Sequence, residues 1–421
     1  MKLTKRILSA LIVFALISAF SVMAYAHDIV PFTTDGKILS VSHGGDTMQY
    51  PKNSLEAIKA AFETGADFVS VDIRRTEDGK FALSDSDDLG AVSLEGKGMH
   101  ISMLPLAQIT LLHLTDKTAN LSECLITDLS AALKVAVAYD KSLIIDGEWE
   151  NREQVYSCIC DNNAEKNAAL RTDASKKEIS QFISATEAKC RIVGEYHGNV
   201  IFNARKKISG LSSVNCPVIY LGTKNSFGVI FRSGVISAFS KNAHSSRAAM
   251  KTYDINESGG RPDCEDTWDD IIDRGYSVIE TDRIADLVGY IKRIEDKRKT
   301  LSSALSQADS AQLGYLTLQS QKDIKESRES AVSALTSISS FKRLSLAESN
   351  LNMALNNKVL IDSAGKAEKG TLNVTPGRII AVLLVTAAFL FVQIYFYYMR
   401  ADKKLPAWLK ATSARKQEKR K

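Results

Sequence analysis

Few residues in this 421-residue chain pair a reactive type with a position where chemistry can happen. His43 closes a short apolar run in Ser42-His43-Gly44-Gly45, and a histidine there can shuttle a proton. Asp72 ends the run Phe68-Val69-Ser70-Val71-Asp72, and Asp146 ends Leu143-Ile144-Ile145-Asp146. Carboxylates of that type can hold a divalent cation. Glu148 follows two residues later and is a candidate for substrate contact, as is Tyr253 in Tyr253-Asp254-Ile255-Asn256. Three of them have a plainer reading: His43 as a satisfied polar residue at a rim, Asp72 as a cap on the next loop, Tyr253 as wall packing.

These positions are useful only if the chain brings them together, and the pattern of elements says how. Strands are expected at Ile38-Ser42, Phe68-Ile73, Leu143-Asp146, Ala168-Arg171, Arg191-Gly194, Val218-Leu221, Lys251-Ile255 and Ser277-Thr281. Helical patterns fall between them at Ser54-Glu63, Asp128-Ala138, Lys177-Ile183, Trp268-Asp273 and Ile284-Ile294. Strands alternating with helices imply a parallel sheet, and eight repeats make a closed (β/α)8 barrel of the TIM type the economical topology. In such a barrel the C-terminal strand ends surround one mouth, so His43 and Asp72 should face one another there.

At this point the sequence resembles the glycerophosphodiester phosphodiesterase family. That family runs His-Arg-Gly, Pro-Glu-Asn-Thr, Gly-Ala-Asp with Glu-x-Asp, an Asp-Gly turn and His-Asp. This chain has His43-Gly44-Gly45, Pro51-Lys52-Asn53-Ser54, Gly65-Ala66-Asp67 with Ser70-Val71-Asp72, Asp78-Gly79 and Ser84-Asp85. Gly96-Lys97-Gly98 and Leu104-Pro105-Leu106 resemble the family's inserted segment, and Tyr253-Asp254-Ile255-Asn256 stands where the family has Trp-Thr-x-Asn. The resemblance implies a phosphoric diester hydrolase that works with a carboxylate-held Ca²⁺ or Mg²⁺, an arginine on the phosphate and two histidines.

Against that pattern the chain keeps His43 as the catalytic histidine and Asp72 as a metal ligand, and Asp146 replaces the third-strand glutamate. The arginine has become Gly44, the Glu of Glu-x-Asp Ser70, the second histidine Ser84, and the Glu of Pro-Glu-Asn Lys52. Losing a general acid costs about 10² to 10⁴ in rate, and losing an anion clamp a similar factor. The expectation is a phosphodiesterase-like protein with lost or altered catalysis and a retained pocket for a glycerophosphodiester or envelope polyol-phosphate; with no catalysis there is no cofactor. The alternatives are a working enzyme, its cation site rebuilt from Asp85, Asp87, Asp88, Glu148 or Glu280 with His100 or His197 as second proton shuttle, and an interaction protein using the barrel as scaffold. Glu280-Thr281-Asp282 is expected to cap the last helix.

The ends of the chain address it. Residues 1–26 carry Lys2, Lys5 and Arg6, an apolar run and Ala24-Tyr25-Ala26, the layout of a cleavable secretory signal. The barrel is expected over 27–297, a helical bundle or stalk over 298–363 and a linker over 364–378. Residues 379–399 carry no charge and are long enough to span a bilayer. The basic tail 400–421 then places the C-terminus in the cytoplasm and the rest outside it. With the leader and tail set aside, residues 27–378 hold 42 Lys+Arg against 47 Asp+Glu, which disfavours a nucleic-acid surface. Six cysteines fall in that part, where disulfides can persist, and their pairing cannot be read.

Overall fold

The computed structural model describes residues 37–197, 201–214, 216–222, 246–252, 262–310 and 313–360. Eleven strands are present among them: β1 Leu39–His43, β2 Phe68–Arg75, β3 Phe81–Leu83, β4 His113–Thr115, β5 Leu121–Leu125, β6 Ser142–Asp146, β7 Ala168–Thr172, β8 Arg191–His197, β9 Val218–Gly222, β10 Arg247–Lys251 and β11 Val278–Thr281. Eight of them pair in parallel in the order β1-β11-β10-β9-β8-β7-β6-β2, and β2 pairs again with β1, which closes the ring. The (β/α)8 barrel expected from the alternation of elements is present.

The strands read as apolar runs because both of their faces are covered, as in all-parallel sheets. Val41, Ile144, Ala169, Val193, Val218, Tyr220, Ala249 and Val278 fill the lumen. The opposite faces pack under a ring of helices that includes α1 Leu55–Thr64, α2 Leu129–Ala138, α3 Arg152–Asp161, α4 Lys176–Thr186, α5 Ile201–Ser213 and α6 Glu265–Asp273. Helix α1 shows how locally this is written: Ser54 accepts the Ala57 N–H as N-cap, Ala57, Ile58, Ala61 and Phe62 face inward, and Gly65 ends the helix at φ +110°. An insertion between β3 and α2 carries the β4–β5 hairpin and its own small core of Leu89, Ile101, Ile109, Leu114 and Ile126.

One strand departs from expectation. The run Lys251-Ile255 was the candidate for the seventh barrel strand, whereas β10 occupies Arg247–Lys251. Parallel backbone pairing with β9 and β11 sets its place, Ala248 opposite Ile219, Ala249 opposite Tyr220 and Met250 opposite Ile279. The β-prone Tyr253 and Ile255 place the expected strand four positions too far along. Tyr253 itself lies outside the described residues.

After β11, helix α7 runs without a break over Ile284–Asp309, through residue 297, and packs with α8 Leu318–Thr336 and α9 Phe341–Asn356. Trp268 and Ile272 of the barrel share one core with Leu287, Tyr290, Ile294, Leu301, Ala331, Leu344 and Leu351. Among the described residues no helix is long and apolar enough to cross a membrane; the segments 1–26 and 379–399 lie outside those residues. All six cysteines are unpaired thiols.

Candidate active site at the barrel mouth

Register fixes what faces what at the C-terminal strand ends. His43 lies opposite Ser70, and Asp72 opposite Asp146. His43 Nδ1 is 2.9 Å from Asp282 Oδ1, and the imidazole also acts electrostatically on Asp72. So three of the expected residues, His43, Asp72 and Asp146, do converge. Asp282 serves His43 instead of capping α7, whose N-cap is Arg283 with no side-chain capping bond. Glu148 is exposed and accepts from Asn151 Nδ2 at 3.1 Å.

The loop from β1 to α1 carries the decisive geometry. Gly44 N donates to Ser70 O at 2.7 Å, and Asn53 N donates to Gly44 O at 2.8 Å. Asn53 holds φ +64°, a left-handed conformation that asparagine tolerates, and its Nδ2 reaches Asp72 Oδ2 at 3.3 Å. Held this way, Lys52 places its Nζ 2.8 Å from Asp72 Oδ2 and 3.3 Å from Asp85 Oδ2. Burial works against the charge on both Asp72 and Lys52, yet each outweighs that for the other: the carboxyl is held below its ordinary range and the ammonium above.

Asp146 is also committed. Its Oδ2 accepts from Arg171 Nη1 at 3.1 Å, and burial together with Glu195 pushes its carboxyl up against that pull. Arg171, fully buried on β7, binds Glu280 on β11, four strands away around the ring in either direction. The pair therefore bolts the lumen from wall to wall. Tyr220 lies against the guanidinium, with its ring centroid 4.4 Å from Cζ, and Glu195 is 3.6 Å from Nε and 3.0 Å from Lys251 Nζ.

A cavity of about 230 Å³ opens above, lined by Lys52, Asn53, Ser84 and Asp85 on one side and Thr115, Asp116 and Lys117 of the insertion on the other. A larger one of about 550 Å³, near Lys189, Cys190 and Arg191, sits at the opposite strand ends and borders none of these groups.

A divalent cation does not fit these residues as they stand. It would have to bind Asp72 at about 2.0–2.6 Å, beside an ammonium already there. Repulsion at about 4 Å amounts to several kcal/mol even with generous screening. Among the described residues, no three His, Cys, Asp or Glu groups stand together closely enough to ligate a metal.

Sequence reading missed Arg171, Glu195 and Lys251 and assigned Lys52 only as a loss. Their signal was present: a lone charge inside an otherwise apolar parallel strand must face either the lumen or the rim.

With this geometry in place, the family can be placed. The profile of the glycerophosphoryl diester phosphodiesterase family matches residues 43–204. Those residues belong to that family. Among solved structures, a glycerophosphoryl diester phosphodiesterase from Parabacteroides distasonis aligns with a TM-score of 0.51 at 20% identity, covering 63% of this chain and 90% of its own. A glycerophosphodiester phosphodiesterase from Agrobacterium tumefaciens gives 0.46 at 16% identity over 60% of this chain and 99% of its own. An Oleispira antarctica phosphodiesterase, solved in complex with the product sn-glycerol-3-phosphate, gives 0.46 at 14% over 60% and 96%. At 20% identity the Parabacteroides distasonis likeness speaks to the fold alone. No curated protein matches the chain.

Proposed function

We propose that this chain is a membrane-anchored, extracytoplasmic glycerophosphodiester phosphodiesterase-like protein. It holds a glycerophosphodiester or envelope polyol-phosphate at the barrel mouth and has lost ordinary metal-assisted hydrolysis. The carrying observation is the commitment of both candidate metal ligands to basic side chains: Asp72 to Lys52 at 2.8 Å and Asp146 to Arg171 at 3.1 Å. Gly44 and Ser84 add to it, since neither can clamp a phosphate nor carry a proton as arginine and histidine do. His43, held by Asp282 beside Asp72, remains as a polar contact for a ligand. The leader in residues 1–26, the apolar segment 379–399 and the basic tail support the location and the anchor.

The test uses the full-length protein in detergent, supplied with a glycerophosphodiester and either Ca²⁺ or Mg²⁺. Release of glycerol phosphate is expected at the level of buffer, and His43→Ala is expected to change nothing, while sn-glycerol 3-phosphate binds saturably. Metal-dependent release that His43→Ala abolishes would establish a working enzyme instead.

A further inference from the structure

Lys52 is built into the mouth more firmly than a surface lysine. Its ammonium has three donors; one meets Asp72 and one Asp85, which leaves the third for the 230 Å³ cavity that Lys52 lines. Its stem also has reserved space. A Cβ on residue 44 would stand 2.2 Å from Lys52 Cγ, and Gly44 holds φ +72°, so the side chain at 52 fits because residue 44 has none. Glycine at 44 and lysine at 52 are thus sterically matched. Asn53, buried beside it, bonds the same Asp72 oxygen and fixes the approach of the loop.

We propose that Lys52 is the resident cation of this site, its ammonium standing on Asp72 in the role that a divalent metal has in the family, so that the mouth engages a phosphate group without metal. This rests on the family placement and on the ligand class proposed above, and not on whether hydrolysis survives.

The experiment titrates Mn²⁺ by electron paramagnetic resonance, and sn-glycerol 3-phosphate by calorimetry with EDTA or Mn²⁺, on the full-length protein. The wild type is expected to show no saturable Mn²⁺ site and the same glycerol phosphate affinity in both buffers. Lys52→Glu is expected to gain one saturable Mn²⁺ site that the wild type lacks. It should also lose about tenfold or more in glycerol phosphate affinity in EDTA and recover it with Mn²⁺. Lys52→Met, which keeps the stem and drops the charge, should lose glycerol phosphate affinity in both buffers, and it carries the test if the glutamate variant misfolds. A stoichiometric Mn²⁺ site in the wild type, or glycerol phosphate binding indifferent to both substitutions, overturns the proposal. If glycerol phosphate fails to bind at all, the ligand assignment above falls; Mn²⁺ gained by folded Lys52→Glu then supports the resident cation, and its failure to appear overturns it. Hydrolysis persisting in EDTA would sink the non-catalytic reading and leave Lys52 in its role.

Discussion

Asp72 shows how one side chain can be retained while its partner changes. Its carboxyl is held below the ordinary range because Lys52 outweighs the cost of burial. Its contribution to stability is therefore complete above the unfolded value of about 3.9 and drains away as pH falls through the lower native value. The advantage in melting temperature of wild type over Asp72→Asn should hold from about pH 5 to 8 and shrink below about pH 4. A difference of the same size at pH 3 and pH 7 would show that the charge on Asp72 does not matter. Lys52 works in the opposite sense, its contribution being kept below about pH 10 and lost above. At this scale the losses were legible in the sequence, since a glycine at 44 or a serine at 84 lacks the chemistry wherever the backbone goes. The replacements were not. Whether Arg171 faces lumen or rim depends on the phase of β7, and only three-dimensional closure reveals Glu280 on the opposite wall.

The elements that carry these side chains are held by close backbone contacts. Gly45 makes the closest approach to backbone among the described glycines: a Cβ there would sit 2.4 Å from the Ala57 carbonyl carbon, at φ +94°. Gly45→Ala must therefore push the β1 loop away from α1, and a loss on the order of 3 kcal/mol is expected in urea unfolding. A loss under about 0.5 kcal/mol would mean the loop is free to shift. The first half of the barrel was readable to within two residues because His43, Asp72 and Asp146 each end an apolar run before a turn or helix signal. The slip at β10 has a different origin: Ala248 and Ala249 carry little strand propensity, and their place is set by backbone pairing with β9 and β11.

For the whole molecule, the bundle is part of the barrel's outer core. Tyr290 Oη donates to Asp269 Oδ1 at 2.7 Å, Ser340 Oγ donates to Asp273 Oδ2 at 2.8 Å, and Lys297 Nζ meets Glu348 Oε2 at 2.7 Å. A chain stopped at residue 297 strips Leu301, Ala331, Leu344 and Leu351 from that core. Each leucine is worth about 1.5–3 kcal/mol of burial, so the truncated chain is expected to melt well below one that ends at 360, or to aggregate. Equal melting temperatures would make the bundle an independent stalk. The bundle's helices are legible in the spacing of apolar residues such as Leu301, Leu305 and Ala308, but its seat is not, because the residues that meet it on α6 look like any amphipathic face. Helix α7 is at once the barrel's closing helix and the bundle's first, so no seam exists there at which recombination could add or remove the bundle cleanly. A break or insertion within that helix must therefore damage barrel and bundle together.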